Sequence, residues 1–172
     1  MKYKRLIIFD FDGTLFNTPD QSNGTRIWKE KTGTDWPYGG WWGRSESIDP
    51  DVFYIPLNQW VYRKYLEAVS DPENYVILAT GRLRKKEKMR YHINRILNDN
   101  NIVFDEVHLN WGGDTYNFKT KLFEEKAEEL DVEEIIMYDD RHEHLVKFKE
   151  WAKEQKIKIK IVDVINKEES IY

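Results

Sequence analysis

The chain has 172 residues, is 40% hydrophobic and 34% charged, and carries a net charge of −4, which suits one domain with a core and a soluble surface. It contains no cysteine, which excludes disulfides, thiolate metal sites and cysteine nucleophiles, and its acidic balance excludes a general electrostatic sponge for nucleic acid. No stretch approaches the roughly 20 apolar residues of a membrane span, and the first apolar run, Leu6–Phe9, is too short for a signal peptide, so a cytoplasmic protein with no membrane partner is expected.

Arg5–Asp10 reads as a first strand, almost continuously hydrophobic as a strand covered on both faces must be. It runs into "FDFDGTLFNTP". Asp10 and Asp12, two residues apart, point the same way from the carboxyl end of that strand, where ligands of parallel sheets sit. Gly13 and Thr14 permit a tight turn whose backbone N–H groups suit an oxyanion. Alone, the D-x-D pair is also compatible with a surface turn or with Asp12 as a helix cap.

Residues 17–72 are far longer than one crossover needs and read as a cap-type insertion over the sheet's carboxyl edge, inside a single domain spanning 1–172. Turn formers crowd "DWPYGGWWGRSESIDP", and five of the seven tryptophans (Trp28, Trp36, Trp41, Trp42, Trp60) fall in this region. A helix is expected over Pro56–Ser70. Trp41 and Trp42 either stack a nucleobase or pack the insertion onto the rest of the chain.

A second strand, Tyr75–Thr80, ends in "ATGR". Thr80 sits at its tip, Gly81 frees the backbone, and Arg82 is close enough to reach substrate; Thr80 also suits a helix N-cap. Met89, Ile93, Ile96 and Leu97 lie at helical spacing within Lys85–Asn98. From Arg82 to Arg95 there are seven basic residues and one acid, either a phosphate-backbone track or a solvated helix face. The acidic run Glu124–Glu134 shows that charge is segregated along the chain.

Glu106–Asn110 reads as the third strand, followed by a helix over Phe118–Leu130. Lys119 and Lys121 stand at its mouth, where a cation opposes the macrodipole and either meets an anion or faces solvent. The fourth strand, Ile135–Asp139, ends in adjacent Asp139 and Asp140, whose repulsion a divalent cation would relieve; oxygen-only ligands favour magnesium. His142 and His144 flank Glu143 too tightly for one zinc site and read as supporting or surface groups, in front of a helix over Glu143–Lys153. Ile157–Val164 alternates isoleucine with Lys156, Lys158 and Lys160, the pattern of a half-buried strand at a protected sheet edge. Strand and helix alternating predicts an α/β fold, a Rossmann-like parallel sheet of about five strands with helices on both faces.

The order D-x-D-G-T-L, hydrophobic-T-G-R, lysine, hydrophobic-D-D resembles the haloacid dehalogenase-like (HAD) phosphotransferases, across both halves of the chain outside the insertion. More narrowly, "FDFDGTLFNTP", "GGWW", "ATGR", "TYNFK" and "MYDDRHEHLVKF" are similar to the phosphatase-type domain found with RNA-repair proteins. The "DDR" also resembles the phosphatase half of polynucleotide kinase-phosphatases.

The resemblance implies strand order 3-2-1-4-5 and a magnesium-dependent phosphatase. Asp10 would be the nucleophile, forming an aspartyl phosphate, and Asp12 the acid and then the base. Thr80 would hold a phosphoryl oxygen, and Lys119, favoured over Lys121, would neutralise charge. Magnesium would sit on Asp10, the Asp12 carbonyl and Asp140, with or without Asp139. Gly13, Thr14, Gly81, Arg82, Trp41 and Trp42 are the expected substrate contacts.

A phosphorylated RNA or DNA end, with the 3′-phosphate favoured, is the expected substrate. The alternative is a nucleotide or small metabolite. The chain has no G-x-x-x-x-G-K-[ST] loop, so a kinase or ligase activity would come from a separate partner. A reading of another class is a non-catalytic phospho-receiver or binding module. Receivers accept phosphate on the third strand and carry their threonine on the fourth, whereas this threonine ends the second.

Overall fold

The computed structural model describes residues 2–172. Five parallel strands, β1 (Arg5–Phe9), β2 (Asn74–Leu83), β3 (Glu106–Asn110), β4 (Glu134–Asp139) and β5 (Lys158–Asp163), are joined by β6 (Glu168–Ile171), antiparallel to β5. The order is β3-β2-β1-β4-β5-β6. The expected order is thus extended by one strand, and the sheet edge lies on β6 rather than on the lysine-bearing β5. Lys158 and Lys160 instead pair with Glu134 and Glu169, each at 3.0 Å.

The central strand explains why its sequence lacks alternation. Ile7 and Phe9 enter one hydrophobic cluster with Val61, Tyr65, Ile93 and Leu97. Leu6 and Ile8 enter another with Phe118, Phe123, Phe148 and Trp151. Period-2 side chains therefore feed two cores at once. Helices α2 (Gln59–Ser70) and α3 (Met89–Asp99) cover the first face, and α4 (Thr115–Leu130) and α5 (His142–Lys153) cover the second. Among the described residues no helix is long and apolar enough to cross a membrane.

Three features differ from the expectations. The region after β1 contains a helix that the pattern did not show, α1 (Gln21–Thr32), capped by the Asp20 carboxylate on the Asn23 N–H at 2.8 Å. Helix α3 starts at Met89, not Lys85, so Arg84–Lys88 is loop. Lys88 takes a left-handed φ of 62°, and a run of cations at a helix N-terminus would oppose its dipole. Helix α4 starts at Thr115, capped by Asp114 on the Asn117 N–H at 2.9 Å. Lys119 is therefore inside the helix and buried, not at its mouth.

Candidate active site

The carboxyl ends of β1 and β4 are adjacent, and the chain places its acids there. The buried Asp10 follows β1, the buried Asp139 ends β4, and Asp140 comes next. A carboxylate oxygen from each lies within 4.8 Å of the others. Three such groups repel unless a cation joins them. One is internal to the protein: the Lys119 ammonium sits 3.1 Å from Asp10 Oδ1 and 2.9 Å from Asp139 Oδ2, with only 3% of its side chain exposed. Lys121, the other candidate, is on the surface, 4.0 Å from Glu125.

The electrostatics follow from this crowding. Burial first, and then the neighbouring Asp139, Asp140 and Asp12, hold Asp10 well above the ordinary carboxylate range, with Lys119 opposing them. Burial and then Asp139 push Asp140 up to about 6. Burial works to lower the Lys119 pKa, but Asp10 and Asp139 outweigh it, so the ammonium stays charged. The cluster has more negative charge than one lysine neutralises. That excess, all on oxygen, fits a hard divalent cation such as magnesium. Asp139 already accepts from Lys119 and from the Arg141 N–H at 3.0 Å, whereas Asp140 lines the open pocket.

Asp12 is oriented by a different device. Arg82, buried, donates from Nε and Nη2 to the two Asp12 oxygens at 2.9 and 2.8 Å. Thr18 Oγ1 donates to Asp12 Oδ1 at 2.8 Å. The remaining Arg82 nitrogen, Nη1, donates to the Trp42 and Arg44 carbonyls at 3.1 and 3.3 Å and to Ser47 Oγ at 2.9 Å. The guanidinium that was expected to reach substrate thus joins Asp12 to the segment after α1, and leaves little of itself for a ligand.

Together these groups form the floor and walls of a cavity of about 350 Å³, lined by Asp10, Asp12, Gly13, Trp42, Gly81, Arg82, Lys119 and Asp140. Thr80 is buried and does not itself line the cavity, and its hydroxyl accepts from the Arg82 N–H at 3.2 Å. Here the β2–β3 register shifts, between Thr80 and Leu83.

Two expectations are corrected. The Gly13 and Thr14 N–H groups are not free for an oxyanion: they donate to the Phe16 and Phe11 carbonyls at 2.9 and 3.4 Å, because the turn closes on itself. Gly13 serves another need. With φ at +65° it lets Asp140 approach so closely that a Cβ would collide with its carboxylate. Trp41 is 2% exposed, and its indole donates to the Pro19 carbonyl at 2.9 Å. It fills space against Gly24, where a Cβ would overlap its ring, and so belongs to the packing of the insertion. Trp42, 42% exposed, is the member of the pair on the cavity.

Sequence reading also passed over Thr18, Asn110 and Thr115, which line the cavity together with His144, read as a supporting or surface group. None falls in a recognisable spacing. The buried Nδ1 of His144 finds no hydrogen-bond partner among the described residues, and burial followed by the Arg141 charge lowers its pKa.

Residues 22–171 match HAD domain family 1 in Swiss Army Knife RNA repair proteins. That span begins after the D-x-D turn, so the match does not depend on Asp10 and Asp12. No protein of curated function matches the sequence. The fold is similar to a chain of the Pnkp1/Rnl/Hen1 complex, at 23% identity and a TM-score of 0.56, over 94% of this chain and 46% of that one. The present chain therefore spans less than half of that relative. It is also similar to a HAD-superfamily hydrolase of subfamily IA from Geobacter sulfurreducens PCA, at 12% identity and a TM-score of 0.53, over 94% of this chain and 87% of that one. At these identities the likeness speaks for the fold. The family match, spanning most of the sequence, speaks for kinship: the chain belongs to HAD domain family 1 of the Swiss Army Knife RNA repair proteins.

Proposed function

We propose that the chain is a magnesium-dependent phosphatase that works through an aspartyl phosphate on Asp10 and acts on phosphorylated nucleic-acid ends, with the 3′-phosphate favoured. The observation that carries this reading is the buried Lys119 bridging Asp10 and Asp139 beside a pocket-facing Asp140. It supplies a nucleophile, a fixed cation and an oxygen-only metal site in one place. Phosphoryl transfer asks mainly for positioning and charge stabilisation of this kind.

In this reading Asp10 attacks phosphorus and the bond to the leaving oxygen breaks. Asp12 gives that oxygen its proton. Asp12 then takes a proton from water as the water attacks the phosphorylated Asp10, releasing inorganic phosphate and restoring the carboxylate. Lys119 opposes the burial that disfavours the Asp10 carboxylate and offsets charge on the phosphoryl group. The Thr80 hydroxyl holds one phosphoryl oxygen. Asp10, Asp140 and the Asp12 carbonyl would hold magnesium, with Asp139 held back by Lys119. The metal supplies charge neutralisation at the phosphoryl oxygens.

The RNA-end substrate rests on the family's name and on the half-exposed Trp42 at the cavity. The segment 17–72 acts as the cap that chooses the leaving group. A separate kinase or ligase partner would act on the end this chain has cleared, in keeping with a similar chain that is part of an assembly, the Pnkp1/Rnl/Hen1 RNA repair complex.

The test is phosphate release with magnesium from a 3′-phosphorylated oligonucleotide, a 5′-phosphorylated one and an aryl phosphate, with Asp10→Asn as control. Fast turnover of the 3′-phosphorylated strand, lost in the variant, is expected. Turnover of the aryl phosphate alone, or of free nucleotides alone, would remove the nucleic-acid substrate and keep the chemistry.

A further inference from the structure

Beside the cavity, the loop from Arg84 to Lys88 presents four exposed cations, Arg84, Lys85, Lys86 and Lys88. Among the described residues none of them forms an ion pair. The acidic side of the molecule behaves otherwise, since Lys126 binds both Glu106 and Glu129 and Lys158 binds Glu134. Other cations, among them Lys31, Arg63 and Lys156, also lack an ion pair among the described residues, but nowhere else do four fall within five consecutive residues.

The loop is tied to the cavity rim by backbone. The Arg84 N–H donates to the Asn110 carbonyl at 2.9 Å, and Leu83 and Asn110, register partners at the β2–β3 margin, both line the cavity. Asn110 is buried and braces the turn that follows. Its Oδ1 accepts from the Gly112 N–H at 2.9 Å, and its Nδ2 donates to the Gly113 carbonyl at 3.0 Å. Gly112 and Gly113, with φ of 144° and 77°, take conformations that L side chains rarely adopt.

This braced turn holds up Trp111, which is 40% exposed and packs edge-on against Phe118 with ring centroids 5.0 Å apart. Trp111 lies between Asn110 and Gly113, which both line the cavity, and so stands beside its mouth without lining it. An aromatic of this size left partly in water beside unpaired cations matches what an unpaired nucleic-acid strand needs: a π-face for a base and charge for its backbone.

We infer that Trp111 and the loop Arg84–Lys88 form a single-strand binding surface that leads into the cavity, with Trp111 stacking a base of the strand whose end is processed. The inference deepens the phosphatase reading and rests on it for which end enters. A double helix would keep its bases stacked on one another, so the surface selects an unpaired end.

The test uses the full chain and fluorescein-labelled 12-nucleotide single strands without a terminal phosphate, in RNA and DNA forms, followed by fluorescence anisotropy across a salt series. Trp111→Ala weakens binding roughly tenfold. The combined Arg84→Ala, Lys85→Ala, Lys86→Ala variant lowers the salt slope by about 2, at ~0.7 per cation on single strands. Lys153→Ala, at the far end of α5, matches the unmodified chain. Melting temperatures of all variants separate lost binding from lost folding.

If the unmodified chain binds a strand and neither variant loses affinity or slope, the surface is elsewhere and the inference is overturned, with the phosphatase reading intact. The inference is equally overturned if the unmodified chain binds no strand at low salt. If the variants lose strand binding but the unmodified chain releases phosphate from no substrate, the surface stands and the phosphatase reading falls.

Discussion

The floor of the cavity and the insertion above it are built on opposite principles. The floor is charge on strand ends: Asp10, Asp139 and Asp140 converge because β1 and β4 are hydrogen-bonded neighbours, and Lys119 comes up from α4 to join them. The insertion is aromatic. Trp36 packs on Trp28 and Trp41 with ring centroids 5.0 and 4.7 Å apart, and Trp41 packs on Phe53 at 5.8 Å. The two meet through Arg82, whose guanidinium holds Asp12 on one side and insertion carbonyls on the other. The floor can thus be inherited unchanged while the aromatic layer is rebuilt, provided the arginine link survives.

The sharpest break of the floor is Asp10→Asn. Loss of the nucleophile should cost at least about 10⁴-fold in phosphate release, a typical scale for removing a covalent catalytic group. The same change removes a buried acid whose pKa is held high. Lys119 keeps Asp139 as a partner, so the metal-free melting temperature at pH 8 should stay level or rise. A large fall in melting temperature would mean that Asp10 holds the fold together, and the separation of chemistry from scaffold at the floor would fail.

In the insertion the expected pattern is reversed. Trp41→Ala removes a fully packed indole together with its hydrogen bond to Pro19 and should cost about 3–5 kcal/mol of stability. Trp42→Ala, one residue on and half-exposed at the cavity, should cost less than about 1 kcal/mol and instead raise KM for the substrate. Denaturant unfolding and steady-state kinetics on both variants check this. Equal stability losses would contradict the division of labour between the two tryptophans.

That contrast also explains what the sequence made visible. The acids of the floor were legible because the chemistry dictates both residue type and place, carboxylates at the tips of apolar runs; the lysine was legible by type alone, since it lies inside α4 and not at the helix mouth where the sequence put it. The roles of Trp41 and Trp42 were not legible, since indoles serve packing and stacking alike and "GGWW" has no periodicity that separates them. Helix α1 was missed because its only buried residue is Gly24, so no apolar stripe marks it. The sixth strand was missed because Glu168–Ile171 is short and mostly exposed, paired through backbone atoms that side-chain patterns do not report. The partner of Arg82 lies 70 residues away, beyond any local spacing.

The link between the two regions is tested by Arg82→Lys. Lysine keeps the charge but loses the fork that grips both Asp12 oxygens and the carbonyls behind. Arg82 acts through Asp12 and is a positioning residue, so its loss should matter most where the leaving oxygen needs a proton. We expect about a 10²-fold fall in kcat for a nucleoside phosphate and a much smaller fall for an aryl phosphate with an acidic leaving group. Equal losses on both substrates would mean that Arg82 only holds the insertion in place.

The smallest effect expected is a change in how magnesium stabilises the protein with pH. Asp140 is raised from 3.8 to about 6 and Asp10 is also raised well above 3.8, both first by burial. Carboxylates raised in the folded state favour folding fully while they are protonated, below the unfolded value near 3.8. That contribution is lost as pH rises through the folded value of about 6, where the unfolded chain has already released its protons. For Asp140 the swing is at most about 3 kcal/mol, and less in practice because the group is partly exposed. Magnesium needs the ionised carboxylates, so it should offset this loss where the loss occurs. The rise in melting temperature on adding magnesium should therefore be larger at pH 8 than at pH 5, and Asp140→Asn should remove most of the difference. An equal rise at both pH values would place the ion somewhere other than the carboxylate floor. It would leave Lys119 as the floor's one source of positive charge, too little for the three acids gathered there.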